Sequence, residues 1–266
     1  MWRWIVGMTV LLAAAGCTLS DPESDLTVAG STSVQPFADK WAEVYMEHHK
    51  GTSINIQGGG SSAGVQAVRS GAATVGMSSR PLKADEQDLT TIVVARDGLA
   101  VIVHPSNPLR GLALSDVKRI FAGDIPNWRA LGYADREVTV VTREEGSGTR
   151  GAFQDLVMGP TRIYRRAIVQ DSNGTVREIV AHDPYAIGYI SLGLVNEQVR
   201  ALELDGIYPS EEAIEDGLYP LVRPFLFLTT GPVDGLARHF IDFVLSPEGQ
   251  ALIVSEGLIP AKARGS

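Results

Sequence analysis

The chain predicts an α/β protein of two domains. Three observations carry that reading. Apolar, β-branched runs alternate with stretches whose apolar residues recur every three or four positions. The joints between them are short and rich in Gly, Ser and Thr. The length of 266 residues, with 44% apolar content, is enough for two cores of ordinary size.

Residues 1–17 read as a targeting segment. Arg3 is the positive n-region, and Ile5 to Ala15 is apolar but too short to span a bilayer. The run ends Leu12-Ala13-Ala14-Ala15-Gly16-Cys17, which resembles a bacterial lipobox. That resemblance implies export and a lipid anchor on Cys17, in the periplasm or at the cell surface. An ordinary signal peptide cleaved elsewhere would still mean export. Cys17 is the only cysteine, so the chain forms no internal disulfide and holds no Cys-based metal site. Residues 18–25 read as a polar tether. Removing residues 1–16 takes away Arg3 and no acid, so the mature chain is one charge more negative than the −8 of the full sequence. This argues against nucleic acid as a partner. It also means that any anion site relies on local donors, because the overall field repels anions.

Leu26 to Ala29 reads as a strand, Gly30-Ser31-Thr32-Ser33 as a polar loop, and the next stretch as a helix. Phe37, Trp41, Val44, Tyr45 and His48 share one face of that helix, and Pro36 falls in its first turn, where proline is tolerated. Ser53 to Gln57 is a second strand, followed by Gly58-Gly59-Gly60-Ser61-Ser62-Ala63-Gly64 and a helix bearing Val65 and Val68. Gly58, Gly60 and Ala63 fit the loose dinucleotide fingerprint. That reading needs an acid at the end of the next strand. Thr74 to Met77 ends instead in Ser78-Ser79-Arg80. Arg80 is placed either to neutralise an anion or to pair with Asp85 or Glu86. Lys83 to Leu89 reads as a short helix. Thr91 to Val103 reads as two strands with a turn at Arg96-Asp97-Gly98.

His104 to Pro108 looks like the crossing into a second domain. Ser115 caps a helix carrying Val117, Ile120 and Phe121. Val138 to Thr142 is a buried strand, and Phe153, Leu156 and Val157 line a helix. Arg143 to Arg150 lies between them. Its Gly146-Ser147-Gly148-Thr149 turn leaves the first helix N–H groups uncovered, and Arg143 adds a planar cationic fork. Asp171-Ser172-Asn173-Gly174-Thr175 is a fifth polar helix start, before Val176, Ile179 and Val180. Ala186 to Ser191 and Val199 to Leu204 read as strands. Pro224 to Leu228 returns to the first domain, and two helices follow. The division is therefore 26–103 plus 222–266 for domain I and 104–221 for domain II.

In an open α/β sheet the ligand lies beyond the carboxyl ends of the strands. Two such domains facing each other would bring these loops over one small solute. Thr32, Ser33, Ser61, Arg143, Ser147 and Thr149 are donors, and almost no acids are interleaved. Such a set suits a small tetrahedral oxyanion. Catalysis is disfavoured: Ser147 lacks the Gly-x-Ser-x-Gly frame, since Glu145 stands where glycine is needed, His-Glu-x-x-His is absent, and the five histidines lie outside the polar loops, so no base stands beside a serine there.

Four motifs make the resemblance specific: Ala29-Gly30-Ser31-Thr32-Ser33-Val34-x-Pro36, Gly60-Ser61-Ser62-Ala63-Gly64, Gly76-Met77-Ser78-Ser79-Arg80 and Arg143-x-x-Gly146-Ser147-Gly148-Thr149. With Ile187-Gly188-Tyr189 and Leu245-Ser246-Pro247-Glu248-Gly249-Gln250, the chain resembles, over residues 26–262, the phosphate-binding proteins of the bacterial phosphate ABC transporter, in their shorter branch. The resemblance implies a two-lobed type II periplasmic-binding-protein fold. In it two mixed-sheet α/β domains join through a two-segment hinge near 102–106 and 218–225. It implies a monomer that is not an enzyme, takes no cofactor or metal, binds inorganic phosphate and delivers it to permease subunits in the membrane. It implies phosphate ligands at Thr32, Ser33, Ser61, Ser79, Arg143, Ser147, Gly148 and Thr149, with Ser31, Arg80, Asp171, Ser172 and Asn173 as a second tier. One departure matters: relatives carry Asp where this chain has Ser79. A carboxylate there accepts a hydrogen bond from protonated phosphate and repels sulfate, and a hydroxyl cannot repel. A receptor for sulfate, molybdate or tungstate is the alternative within the same fold.

Overall fold

The computed structural model describes residues 24–261, so the leader and Cys17 lie outside the described residues. The chain opens with β1 (Asp25–Gly30), α1 (Gln35–His48), β2 (Ser53–Gly58), α2 (Ser61–Ser70) and β3 (Val75–Ser78). The long strand β4 (Thr90–Val103) follows, then β5 (Gly111–Leu112), α3 (Leu114–Ala122), β6 (Thr139–Arg143) and α4 (Gly148–Phe153). Next come β7 (Ile168–Gln170), α5 (Asn173–His182), β8 (Ala186–Ser191), β9 (Arg200–Ala201), β10 (Glu203–Leu204) and α6 (Glu211–Glu215). The last elements are β11 (Val222–Thr229), α7 (Gly235–Leu245), α8 (Pro247–Val254) and β12 (Ile259–Pro260).

One sheet threads the molecule in the order β2-β1-β3-β11-β4-β8-β6-β7, with β9 and β12 also paired to β4. The two ends are parallel: β1 with β2 and β3, and β6 with β8 and β7. The middle is antiparallel, where β11 pairs with β3 and β4, and β4 with β8. The parallel ends arise because α1, α2 and α5 supply crossovers, and parallel strands need one. The result is a two-lobed fold. One core gathers Leu26, Trp41, Met77, Ala95, Phe227 and Phe240, and another gathers Leu99, Phe121, Trp128, Phe153 and Tyr189. β4 serves both. Val94 and Ala95 lie in the first core. Beyond Asp97, Leu99, Val101 and Val103 enter the second, while Ala100 and Ile102 point to a third cluster with Val141 and Val176. That alternation is the period-two face switch of a strand buried on both sides.

Several expectations are corrected. Thr91 to Val103 is one continuous strand, with no turn at Arg96-Asp97-Gly98. Asp97 is fully buried there and is answered from the neighbouring strand by Arg223, so a charge inside an apolar run marks a cross-strand pair. The pairing slips one register between Phe225 and Leu226, the kind of irregularity that bends a strand. Ser115 does not cap α3; Asp205 Oδ1 accepts from Leu114 N at 3.1 Å instead. Lys83 to Leu89 contains only a 3₁₀ turn at Ala84–Glu86. Val199 to Leu204 divides into β9 and β10, which pair with different strands. The 153–158 stretch continues α4 as a π turn, Gln154–Met158. Among the described residues no helix is long and apolar enough to cross a membrane.

The first lobe is held by aromatic packing on α1. Trp41 is fully buried, meets the Phe227 ring edge-on at 6.1 Å, and donates Nε1–H to Gly249 O at 2.6 Å. This fastens α8 to α1. Trp41→Ala should lower unfolding stability by about 3–5 kcal/mol, measured by urea titration. A loss below about 1 kcal/mol would mean that α8 is held by other contacts.

Candidate functional site

Four helix starts meet along the seam between the lobes. Thr32 and Ser33 precede α1, Ser61 opens α2, Ser147 caps α4 and Ser172 caps α5. The first N–H groups of a helix have no partner within it and carry the positive end of its dipole. Both caps are made by hydroxyls. Ser147 Oγ accepts from Arg150 N at 3.2 Å, and Ser172 Oγ accepts from Thr175 N at 3.1 Å.

Arg143 ends β6 and is 1% exposed. Its Nε donates to Glu144 Oε2 at 3.0 Å and to Gln170 O at 3.2 Å. Its Nη2 donates to Thr32 Oγ1 at 3.0 Å, Glu144 Oε1 at 3.0 Å and Asp171 O at 2.8 Å. Thr32 belongs to the other lobe, so the guanidinium spans the seam. Nη1 is buried and has no acceptor. An unanswered buried donor carries a desolvation cost of about 1–3 kcal/mol, more on a charged group, and calls for an acceptor oxygen, from water or from a ligand.

Around it runs a set of hydroxyls. Ser33 Oγ and Thr149 Oγ1 are 2.6 Å apart across the seam, and Asn173 Nδ2 donates to Ser33 Oγ at 2.9 Å. Ser31 Oγ donates to Ser79 Oγ at 2.9 Å, and Ser79 N donates to Ser61 Oγ at 3.1 Å. Glycine at 148 permits this closeness. A Cβ there would stand 2.1 Å from Ser61 Oγ and 2.5 Å from Ser79 Oγ. The backbone also closes the seam, with Ser62 N donating to Gly146 O at 3.2 Å.

The structure thus brings together Ser31, Thr32, Ser33, Ser61, Ser79, Arg143, Gly148, Thr149 and Asn173. Ser147 is buried beside them as a helix cap. Asp171 contributes its carbonyl to Arg143, while its exposed carboxylate accepts from Thr175 Oγ1 at 3.2 Å. Ser172 serves as the α5 cap. Arg80 turns to Glu86 in a two-pronged ion pair of 2.7 and 2.8 Å, both side chains buried. It thereby takes the second of its two expected roles. A groove of about 1160 Å³, lined by Arg80, Lys83, Glu145, Arg150, Arg162 and Tyr164, opens beside the seam. It touches neither Thr32, Ser33, Ser61 nor Thr149, and it is far larger than a tetrahedral oxyanion requires.

Two site residues have no counterpart among the expected ones. Arg223 on β11 is 2% exposed, and its Nη1 donates to Thr149 Oγ1 at 2.8 Å. Its Nε donates to Asp97 Oδ2 at 2.8 Å, while Nη2 sits 2.7 Å from the same oxygen, off the line of a hydrogen bond. Ser191 Oγ donates to Asp97 Oδ1 at 2.8 Å. Burial raises the Asp97 carboxyl, and the Arg223 charge opposes that rise. Burial lowers Arg223, and the charge of Arg143 pushes the same way. The signal in the sequence was the Asp97 charge inside an apolar run, which a turn explains equally well.

A two-lobed α/β body with a donor-lined seam defines a solute receptor of the periplasmic-binding-protein class. The family model of the PBP superfamily domain matches residues 18–248. The chain is 35% identical to the phosphate-binding protein PstS of Bacillus subtilis, over 88% of this chain and 80% of that one. It is 27% identical to PstS of Borreliella burgdorferi, over 92% and 93%. Among solved structures it is similar to a phosphate ABC transporter substrate-binding protein of Clostridium perfringens with bound phosphate, at 37% identity and TM-score 0.85, covering 90% of this chain and all of that one. An ABC-type phosphate transport receptor of Vibrio cholerae gives 36% identity and TM-score 0.75, with the same coverage. The chain belongs to the family of PstS phosphate-binding proteins.

The Arg80–Glu86 pair makes its own prediction. The Arg80 hydrogen bonds hold the Glu86 carboxyl below its ordinary 4.5, against the opposing effect of burial. A depressed carboxyl contributes stability above its unfolded pKa, and that contribution is lost as pH falls through the folded value. Glu86→Gln should therefore lower the Tm at neutral pH and flatten its decline below about pH 4.5. Parallel Tm-versus-pH curves for the two proteins would contradict the assignment.

Proposed function

We propose that this chain binds inorganic phosphate in the seam between its lobes, outside the cytoplasmic membrane, and delivers it to the permease of a phosphate ABC transporter. The observation that carries this reading is the buried, unanswered Nη1 of Arg143, set in a ring of hydroxyl donors that both lobes supply. A doubly charged tetrahedral anion answers those donors at once. The names of the relatives point to phosphate among such anions. The proposed ligand set is Thr32, Ser33, Ser61, Ser79, Arg143, Ser147, Gly148 and Thr149. The proposed lobes are 26–103 with 222–266, and 104–221, with the crossing in β4 drawn back from 102–106 to Asp97, because Leu99, Val101 and Val103 pack into the second core. β4 and β11 run through the junction, so the division is a pair of strands.

The same reading makes the chain a monomeric carrier without catalysis. The nearest hydroxyls are tied to one another, to Asn173 and to Arg223, and no histidine appears among their partners to act as a base. The acidic chain then needs no nucleic acid. Cys17 would hold it to a membrane by lipid.

Isothermal titration of phosphate-stripped protein should give saturable binding of one phosphate per chain. Arg143→Ala should weaken it at least about a hundredfold, because two charged hydrogen bonds of about 1.5–3 kcal/mol each are removed. No heat from the parent protein would end the phosphate reading, and displacement by equimolar sulfate would move it to the wider oxyanion class. Cys17→Ser should shift the protein from the membrane fraction to the soluble fraction. Retention on membranes would remove the lipid anchor from the proposal.

A further inference from the structure

Asp97 and Arg223 face each other in register on β4 and β11. Their place in the fold is special. On one side of them Ala95 and Phe225 pack into the first core; on the other Leu99 and Leu221 pack into the second. The pair therefore sits where both connecting strands pass from one lobe to the other. Its cation is fixed on several sides. Asp97 takes Nε, the Phe225 ring lies 5.3 Å from the guanidinium carbon, and the carboxylate itself is held by Ser191 of the second lobe.

The free end of this guanidinium reaches the ligand seam. Nη1 donates to Thr149 Oγ1 of the second lobe at 2.8 Å and lies 3.5 Å from Ser79 O of the first. A guanidinium donates and never accepts. Thr149 Oγ1 must therefore accept from Arg223 and spend its own hydrogen elsewhere. Ser33 Oγ is in the same position, because it accepts from the Asn173 amide. Two hydroxyl hydrogens then face one Ser33–Thr149 contact, which uses only one of them. The other is surplus and has an anion as its natural acceptor. If Arg223 were a stability element only, the Asp97 pair would suffice and the Thr149 contact would be incidental.

We propose that Arg223 is a positioning residue for the bound oxyanion, holding the Thr149 hydroxyl as a donor and tying it to the strand crossing between the lobes. The proposal rests on the phosphate reading above. It explains why a charged pair stands in the most buried part of two apolar strands. It also makes the crossing sense the ligand, since the atom that orders Thr149 belongs to the crossing itself.

The test is a double-mutant cycle on the full chain, with phosphate affinity by calorimetry and Tm without ligand as separate readouts. Thr149→Val and Arg223→Gln should each weaken phosphate about ten- to a hundredfold. In the double variant the Arg223 change should cost little more, because its effect passes through Thr149. Arg223→Lys keeps the charge beside Asp97 but loses the fork. It should fold with a nearly parental Tm and still bind at least about tenfold more weakly. If Arg223→Gln does not fold, the cycle is run with Arg223→Lys. Additive losses in the double variant, or an Arg223→Lys protein that binds like the parent, would overturn the proposal while leaving phosphate binding intact. A parent protein that binds no phosphate would instead end the underlying reading as well.

Discussion

Buried N–H groups must find acceptors, and this seam has more donors than it can answer. Arg143 gives its Nε and Nη2 to Thr32, Glu144, Gln170 and Asp171, yet Nη1 is left over. The hydroxyls of Ser33 and Thr149 are each held by an N–H donor from elsewhere. Packing alone cannot relieve such a surplus, because an apolar neighbour accepts nothing. An anion with several oxygens can answer all of them at once. The lobes meet directly through Arg143 to Thr32 and Ser33 to Thr149, and the rest of the chain holds these donors at that spacing.

The protein does this against its own charge. A net −8 repels an anion at long range. Distance decides which effect wins. Salt screens exposed charges beyond about 8 Å, so the distant acids fade. A guanidinium at about 4 Å in a poorly solvated site contributes on the order of 4 kcal/mol. Helix starts and hydroxyls add to it locally. The nearer carboxylates are already engaged: Glu144 with Arg143, Asp97 with Arg223 and Ser191, Glu86 with Arg80. None of them is free to face the seam, and that makes an all-donor site compatible with an acidic chain.

The two strands that join the lobes do more than connect them. A flexible linker would let the lobes drift. β11 is instead paired with β4 along its whole length, Val222–Thr229 against Thr90–Gly98, with one register slip between Phe225 and Leu226. The buried charge pair sits just beyond that slip. A bend in paired strands changes the direction of one lobe relative to the other while keeping the backbone bonds made. The seam and the crossing are therefore one mechanical unit, linked through Arg223 and Thr149.

Much of this was legible in the linear chain. Polar, glycine-containing strand ends followed by helix patterns pointed to Thr32, Ser33, Ser61, Ser147 and Thr149, because hydroxyls at helix starts are a local matter of backbone geometry. The alternation of strands and helices determined an α/β body for the same reason. What tertiary structure alone decided is who faces whom across the molecule. Arg96-Asp97-Gly98 reads as a turn until Arg223, 126 residues away, is seen beside Asp97. Arg80 had two possible partners, and the fold gave it to Glu86. Local propensity is set by neighbours in sequence. The pairing of a buried charge is set by which strands lie side by side, and no window along the chain contains that information.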